Sequence, residues 1–288
     1  MTVRDFTIED ALQHQLLNAR HRDGAWGYEA GRTPRLEPTC WALLALGTSR
    51  PESARVLAQW PSHAGALVEQ SGGLVNWSFH ALALWTQLAL GEDSVYELDP
   101  IAAALVEARG TALTPSSAQR PDGPLQGWSW IDGTFSWVEP TAWALLALKK
   151  CRANGILIPG ADKRIRDGEA ILRDRVCATG GWNYGNSNVF GKDLPAYVPT
   201  TALALLALQD CQDEAYLRRS ITYLEEHVGR HRSTRGLALS VLALRRHRRP
   251  TWRLNDELRR WLDLHPTPDV ASTGMALCAL QRSDAFAL

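Results

Sequence analysis

Cysteine is scarce and irregularly placed in this sequence. The 288 residues contain five cysteines, Cys40, Cys151, Cys177, Cys211 and Cys278, with no Cys-x-x-Cys pair. An odd number of widely spaced cysteines in apolar helical sequence is typical of a reduced compartment, not of a disulfide framework. We therefore expect free thiols and a cytoplasmic protein.

Long apolar runs are missing as well. No stretch approaches the roughly 18 to 20 apolar residues of a membrane-spanning helix. The first residues, MTVRDFTIEDALQHQLL, lack the basic-then-apolar order of a signal peptide. The sequence therefore predicts a soluble protein and leaves peripheral contact with a membrane open.

Neither sign of charge is in excess. The sequence has 31 Lys and Arg against 31 Asp and Glu, so the formal net charge is zero. Electrostatics therefore give no reason to expect nucleic acid as a partner. The densest basic run, RRHRR at residues 245–249, lies where cations stabilise a helix end and are usually solvated. A docking patch for phosphate or a lipid headgroup is the alternative.

Motifs for phosphate and metal are absent. There is no Walker loop, and GGWNYGNSNVFG at residues 180–191 lacks the strand context of a dinucleotide-binding fingerprint. There is no Asp-Asp-x-x-Asp run either, which disfavours magnesium-assisted ionisation of a diphosphate. We expect no cofactor and no metal.

Tryptophan, by contrast, is abundant, with twelve residues, and its spacing reveals an internal repeat. Trp26, Trp77 and Trp128 are 51 residues apart, and Trp182 follows after 54. Each unit of about 50 residues holds two helical segments and a loop rich in Gly and Trp. Six such pairs fit the sequence.

The two helices of a pair differ in polarity. The first members are amphipathic and are predicted over residues 8–20, 53–68, 97–109, 163–176, 213–229 and 253–264. The second members are apolar all round and are predicted over 38–48, 79–90, 140–152, 199–210, 235–247 and 270–282. A helix that is apolar on every side must be covered on every side, which an open solenoid would not achieve. We predict one all-α domain over residues 1–288, an α/α toroid of six inner and six outer helices.

Three of the apolar helices begin with nearly the same sequence: RLEPTCWALLAL at 35–46, SWVEPTAWALLAL at 136–148 and AYVPTTALALLAL at 196–208. Together with the loops DGAWGY and GGWNYG, they resemble the repeats of squalene-hopene cyclases and protein prenyltransferase β subunits. The resemblance covers residues 8–210 well and the last two hairpins weakly, because those lack the Trp loop. It implies an α/α toroid that acts on a prenyl or polyene substrate.

Zinc chemistry is not supported within that superfamily. Protein prenyltransferases bind zinc through an Asp-x-Cys pair and a later His. This sequence has no Asp-x-Cys pair, and Val198 occupies the position matched to the His. Cys40 also lacks a His or Asp partner at the usual spacing.

Glu37 and Glu139 stand directly before a proline at the start of an apolar helix. A glutamate there can simply complement the positive end of the helix dipole. The third repeat has Val198 in the matched place, so the helix itself does not require the acid.

The resemblance implies a second role for Glu139. In class II terpene cyclases the middle acid of an Asp-x-Asp-Asp-Thr-Ala motif donates the proton. When Thr141 and Ala142 are matched to the end of that motif, the middle acid falls on Glu139. Trp137 and Pro140 replace the other two acids.

A general acid must keep its proton near neutral pH, through burial or a neighbouring carboxylate. Glu37 is the candidate neighbour. His80, in WSFHALAL near the start of the second apolar helix, is a candidate proton relay, although structural histidines are commoner.

Aromatic residues crowd the loops before the helix starts. Aromatic faces stabilise cations, and polyene cyclisation proceeds through carbocations. The four periodic tryptophans are expected mainly to pack between hairpins. The candidates for binding a substrate are Trp128, Trp130, Phe135, Trp137, Trp182, Tyr184 and Tyr197, with Arg32 and Arg35 for a diphosphate group.

Two functions follow. The first is a class II-like terpene cyclase, of isomerase or lyase type, in which Glu139 protonates a polyprenyl substrate in an apolar, aromatic-lined funnel. The second is a non-catalytic toroid that binds a prenyl lipid, peptide or partner protein. A single ring would need a homodimer, a partner subunit or its own loops 21–36, 110–138 and 180–197 to cover the site.

Overall fold

The computed structural model describes residues 6–69, 73–91, 98–111, 125–211, 214–230, 232–281 and 284–288. Twelve α-helices dominate these residues, so the prediction of a mainly helical chain is confirmed. The described helices contain none that is both long and apolar enough to cross a bilayer. The five cysteines are free.

The helices alternate between two kinds. The amphipathic helices are α1 (Ile8–Ala19), α3 (Arg50–Leu57), α5 (Asp99–Glu107), α7 (Ala161–Asp174), α9 (Ala215–His227) and α11 (Trp252–Leu264). The apolar helices are α2 (Leu36–Leu46), α4 (Trp77–Ala89), α6 (Val138–Ala153), α8 (Val198–Ala207), α10 (Thr234–Arg246) and α12 (Val270–Leu280). A short 3-10 helix spans Asp284–Phe286.

Two small antiparallel hairpins interrupt this pattern. Strands β1 (Ser62–His63) and β2 (Ala66–Leu67) pair before α4, and β3 (Asn188–Val189) and β4 (Lys192–Asp193) pair before α8. The helix predicted over residues 53–68 is therefore wrong in its second half. The chain turns at Ala64 and Gly65, both with positive φ, a turn that favours a hairpin over a helix.

The other predicted helices match one helix each, with starts within about two residues. Residues 97, 213 and 282 of the predicted helices lie outside the described residues, as do residues 112–124 of the proposed covering loop.

The apolar helices contact one another in chain order, from α2 to α12, and α12 packs on α2 again. The amphipathic helices pack against members of this circle of contacts: α1 packs on α12, α7 on α6, α9 on α8 and α11 on α10, while α3 and α5 contact α4. A helix that is apolar on every side needs neighbours on every side. The adjacent apolar helices and the amphipathic helices together provide them. The buried core is accordingly made mostly of the Ala and Leu residues of the apolar helices.

All six apolar helices begin at one end of the molecule, here called the N-terminal face. Backbone hydrogen bonds join the first residue of one apolar helix to the loop before another: Trp77 to Trp130 at 3.0 Å, Val138 to Tyr184 at 2.9 Å and Val270 to Tyr28 at 2.8 Å. The ring of Tyr197, just before α8, lies 5.2 Å from that of Tyr184. An ion-pair cluster described below places the start of α10 at the same face.

Three of the periodic tryptophans each connect one amphipathic helix to the apolar helix that follows it. The indole N–H groups of Trp26, Trp128 and Trp182 donate to the carbonyls of Leu16, Leu105 and Leu172 at 2.7, 2.8 and 2.6 Å. Their backbone N–H groups donate to the hydroxyls of Thr39, Thr141 and Thr201 at 2.9, 3.1 and 2.9 Å. Trp77 differs, because its indole donates to Asp132 at 2.8 Å.

The opposite end is filled by residues 284–288. Phe286 is buried and stacks on Trp41 and Trp85, with centroid distances of 5.4 and 5.7 Å. Lys150 of α6 donates to the carbonyl of Ala287 at 2.7 Å, and Gln209, after α8, donates to the carbonyl of Phe286 at 3.1 Å. These contacts close the space between the C-terminal ends of the apolar helices.

Candidate functional site

The helix starts define the positions of Glu37 and Glu139. α2 and α6 each begin one residue earlier, so each glutamate is the second residue of its helix and the proline is the third. In α8 the second residue is Pro199. The prediction that Val198 is equivalent to Glu37 and Glu139 is therefore wrong by one residue, and Pro199 is the equivalent residue. A proline fits the third position because the first four N–H groups of a helix have no partner within it.

Hydrogen bonds to the loop tryptophans support this register. Thr141 lies two residues after Glu139, and Thr201 lies two residues after Pro199. Each hydroxyl accepts the backbone N–H of the periodic tryptophan in its own repeat. The two helix starts are thus equivalent in structure, and only one of them carries an acid.

Arg235 is also the second residue of its helix, α10. Its guanidinium donates to Oε1 of Glu37 at 3.1 Å and to Oε1 of Glu139 at 2.5 Å. The Tyr28 hydroxyl donates to the other oxygen of Glu37 at 2.6 Å. We call these four side chains the Glu–Arg–Glu cluster. It joins α2, α6 and α10, which are alternate members of the circle, across the N-terminal face.

The cluster places more negative than positive charge in a poorly solvated region. The side chains of Glu37 and Glu139 are only 9% and 11% exposed, against 34% for Arg235. Burial raises the pKa of Glu139 and the charge of Glu37 raises it further, while Arg235 lowers it, and the net pKa is above its ordinary value. Burial lowers the pKa of Arg235, but the two carboxylates outweigh it and the net pKa is raised. Glu139 is therefore harder to ionise than a solvated glutamate.

The two arginines proposed for a diphosphate have other surroundings. Arg35 precedes α2, with its Nε 3.3 Å from the buried carboxylate of Glu69. Glu69 also accepts the backbone N–H of Leu36 at 3.2 Å. Arg32 is exposed, with its Nε 3.9 Å from Glu29. Neither arginine lines the cavities described below.

His80 has partners at both ring nitrogens. The backbone N–H of Leu67 donates to Nδ1 at 3.1 Å, and Nε2 lies 2.9 Å from the carbonyl of Ile101, which fixes Nε2 as the protonated nitrogen. Burial lowers the pKa of the imidazole to about 4, so the ring is neutral at neutral pH. Among the described residues no hydrogen bond joins His80 to Glu37 or Glu139, and its role as a relay stays a prediction.

Four of the predicted aromatic residues come together beside the start of α6. Phe135, Trp137, Tyr184 and Tyr197 line a cavity of about 300 Å³, here called the aromatic cleft. Phe135 and Trp137 have ring centroids 4.7 Å apart. The rest of the lining comes from Ser136, Asn183, Gly185, Asn186, Val189, Leu194 and Pro195. Among the described residues, the lining includes no Asp, Glu, Lys, Arg or His.

A larger groove of about 1070 Å³ adjoins the cleft and shares Tyr184 and Tyr197 with it. Its far wall is α9, which contributes Arg219, Thr222 and His227. Neither cavity has Glu37 or Glu139 in its lining.

The remaining aromatic candidates lie elsewhere. Trp128 and Trp182 are fully buried, and their indole N–H groups are used within the fold. Trp130 is half-buried and accepts a backbone hydrogen bond from the start of α4. The structure therefore brings together the residues nearest the starts of α6 and α8, and not the periodic tryptophans.

One group of described side chains has the spacing of metal ligands, namely Glu169, Asp210 and Cys211. The ammonium of the buried Lys149 already lies among them, 2.8 Å from Glu169, 3.8 Å from Cys211 and hydrogen-bonded to Asp210. Both carboxylates therefore already contact a positive charge of the chain itself.

Sequence reasoning missed Arg235, Tyr28 and Glu69 as members of the site. Arg235 had a signal, because it follows a Ser-Thr helix start at the position that holds the glutamates in α2 and α6. The fifth hairpin lacks the Trp loop, so its register could not be matched to that of the earlier repeats. Tyr28 lies in the loop before α2, and no spacing rule predicts which acid it contacts.

Comparison with models of known protein families finds no match to this chain. Comparison with curated proteins finds none that is significantly similar.

Proposed function

We propose that the chain is an α/α toroid that binds an apolar molecule of the prenyl class in the aromatic cleft, without acid catalysis by Glu139. The toroid is supported by the circle of contacts among the apolar helices and by the amphipathic helices outside it. The ligand class comes from the resemblance of the repeats and from the chemistry of the cleft.

The lining of the cleft carries this proposal. Four aromatic rings and the side chains of Val189, Leu194 and Pro195 form its wall, without any described charged residue. Ligand pockets are typically apolar, with a few polar groups and volumes of roughly 300–1,000 Å³. The cleft is at the small end of that range, and Asn183 and Asn186 supply polar groups for orientation.

Two observations favour binding over catalysis. Arg235 holds the carboxylate of Glu139 in an ion pair, and neither cavity described above reaches that carboxylate. The far ends of the apolar helices are filled by Phe286, Trp41 and Trp85. A substrate in the aromatic cleft would therefore contact the loops before α6 and α8 and not the carboxylate of Glu139.

Binding is tested by titrating the protein with prenyl alcohols of increasing length and recording tryptophan fluorescence. Trp137→Ala removes one wall of the cleft and should weaken binding by about tenfold or more, since an aromatic wall buries a large apolar area. Trp252→Ala is the matched control, because Trp252 is an exposed indole on α11 outside the cleft. Equal affinity of Trp137→Ala and wild type would contradict the proposal.

Acid-initiated cyclisation is the second candidate, and the raised pKa of Glu139 favours it. A group that keeps its proton above its usual pH range is suited to general acid catalysis. The test is incubation with linear prenyl substrates, free and diphosphorylated, followed by product analysis. A cyclic product lost in Glu139→Gln supports this function, and turnover that persists in both Glu139→Gln and Glu37→Gln contradicts it. The cytoplasmic location and a homodimer or partner subunit stay predictions.

A further inference from the structure

Arginine is concentrated in a groove between α11 and the segment that joins α9 to α10. The groove has a volume of about 860 Å³, and we call it the arginine groove. Four arginines line it, namely Arg230, Arg232, Arg253 and Arg260. Its described lining also contains two acids, Asp256 and Glu257. The balanced charge of the whole sequence does not reveal this local excess of positive charge.

Ion pairs leave most of this positive charge unbalanced. Glu257 lies 3.6 Å from Arg232, and Asp256 lies 3.5 Å from Arg259, which is outside the lining. In the part of the chain that the structure describes, the other three arginines of the groove form no ion pair. The Arg232–Glu257 pair is half exposed, and such pairs are weak, so Arg232 can exchange its partner at little cost. All four guanidinium groups are thus available to an acidic ligand.

The spacing of the arginines favours a ligand with several negative charges. Arg253 and Arg260 are two helical turns apart on α11, about 10 Å along the helix axis. Side chains at this spacing lie one above the other on the helix, so each is suited to its own anionic group. Arg230 and Arg232 contribute further positive charge from the segment on the other side of the groove.

Apolar side chains lie at both ends of α11 along the groove. Trp252 is the first residue of the helix and Leu264 is the last, and their exposed fractions are 58% and 75%. They are about 18 Å apart along the helix axis, at 1.5 Å per residue. An extended peptide rises about 3.3 Å per residue, so about five or six residues cover this length. The groove therefore fits a short acidic segment that has an apolar residue at each end.

A peptide matches this lining better than a nucleic acid does. Asp256 and Glu257 would repel a backbone that carries a phosphate at every nucleotide. Single-stranded nucleic acids also need aromatic faces on which successive bases stack. One face of Trp261 is already covered by His265, at a centroid distance of 3.8 Å, and its indole N–H donates to Thr234 at 3.2 Å. Protein interfaces, by contrast, are enriched in Trp and Arg.

We infer that the arginine groove binds an acidic segment of a partner protein in an extended conformation. Carboxylates of that segment pair with the four arginines, and its apolar residues pack on Trp252 and Leu264. Arginine suits this role because its planar guanidinium binds a carboxylate through two parallel hydrogen bonds. The arginine groove and the aromatic cleft share no described lining residue, so this inference does not depend on the proposed prenyl-binding function.

The experiment is isothermal titration calorimetry of the protein with the synthetic peptide Phe-Glu-Asp-Glu-Asp-Leu, blocked at both ends. We expect saturable binding that weakens as salt is added, because exposed charges are screened. Arg253→Gln/Arg260→Gln should bind the peptide about tenfold more weakly, since two charge-assisted pairs are lost. Arg22→Gln/Arg166→Gln is the matched control, because it removes two exposed arginines outside the groove and changes the net charge equally. It should bind as wild type does.

Two further ligands test the chemistry of the partner. A peptide in which Gln and Asn replace the acids should bind at least about tenfold more weakly than the acidic peptide. A short single-stranded oligothymidylate should also bind more weakly than the acidic peptide. Trp252→Ala should weaken binding of the acidic peptide by about fivefold, because an apolar contact is lost.

Four results would overturn the inference. Wild type gives no saturable binding of the acidic peptide, or Arg253→Gln/Arg260→Gln binds it as tightly as the control variant does. The neutral peptide binds as well as the acidic one, so that charge is not recognised. The oligothymidylate binds more tightly than the acidic peptide, so that the groove is a site for nucleic acid.

Discussion

Arg235 and Glu139 meet at 2.5 Å across the N-terminal face, although they belong to helices that are not neighbours in the circle. Each is the second residue of its helix, and the same guanidinium also contacts Glu37 of a third helix. One arginine thus ties three alternate helices together. Its removal would leave two carboxylates near each other in a poorly solvated place.

Arg235→Met should destabilise the fold at neutral pH. Removing one partner of a buried ion pair costs about 3–5 kcal/mol, and the partial exposure of Arg235 reduces the expected loss to about 2–3 kcal/mol. The measurement is urea denaturation at pH 7. Arg232→Met is the control, since the Arg232–Glu257 pair is long, at 3.6 Å, and its arginine is about half exposed.

The loss of unfolding free energy in Arg235→Met should be smaller at acid pH than at pH 7. A carboxyl whose folded pKa is raised favours the fold below the unfolded pKa, and that contribution is lost as the pH rises through the folded pKa. Glu139 already has a raised pKa, and loss of the arginine removes the main influence that lowers it. Denaturation curves at pH 4.5 and pH 7 that show the same deficit would contradict this account.

His80 should make the fold sensitive to acid. Its pKa is lowered to about 4 in the fold, so its contribution to stability is present above the unfolded pKa and is lost as the pH falls from about 6.5 toward 4. The full loss is roughly 3 kcal/mol. His80→Gln should have a flatter profile of stability against pH in this window, whereas His63→Gln, at an exposed position, should keep the wild-type profile.

Thr141→Val should cost about 1–3 kcal/mol, because the buried backbone N–H of Trp128 loses its acceptor while the shape of the side chain is kept. Thr39→Val and Thr201→Val should behave alike, since their hydroxyls accept from Trp26 and Trp182. Thermal or urea unfolding measures the effect. A neutral result at all three sites, similar to that of the exposed Thr222→Val, would show that these hydroxyls are dispensable.

Phe286→Ala should cost about 3–5 kcal/mol, the usual range for truncating a buried aromatic residue. Phe286 stacks on both Trp41 and Trp85, so their near-ultraviolet circular dichroism should change as well. Phe6→Ala is a control at an exposed position. An unchanged midpoint of unfolding for Phe286→Ala would mean that the space collapses without loss of stability.

The helices were predictable because the local pattern of apolar and polar residues determines whether a helix is apolar or amphipathic. The predicted helix over 53–68 failed where the period of the pattern was weak and the turn at Ala64 and Gly65 decided the conformation. The preference of proline for the first helical position predicts starts of α2 and α6 that are two residues too late, since proline occupies the third position of both helices. The exact position of a turn or a helix start depends on the backbone conformation of single residues, and the periodicity of the sequence does not specify that conformation.

The site was predictable only in part. Glu37 and Glu139 were found because they recur before proline, and four aromatic residues of the cleft were found because they lie beside those helix starts. Their pairing with Arg235 depends on which helices face one another across the circle, which local sequence does not specify. The β3–β4 hairpin and its exposed tip were likewise not predicted, since Phe190–Gly191 departs from the usual Asn-Gly turn.

The contact between α12 and α2 has a consequence for how the chain folds. A flank of α2 stays open to water until residues 270–280 have been made, more than 220 positions later, and α1 also packs on α12. Contacts between such distant segments slow folding, because a long loop must close before they form. The early helices must therefore be kept from aggregation during synthesis, and we expect loss of any single hairpin to unfold the whole circle at once.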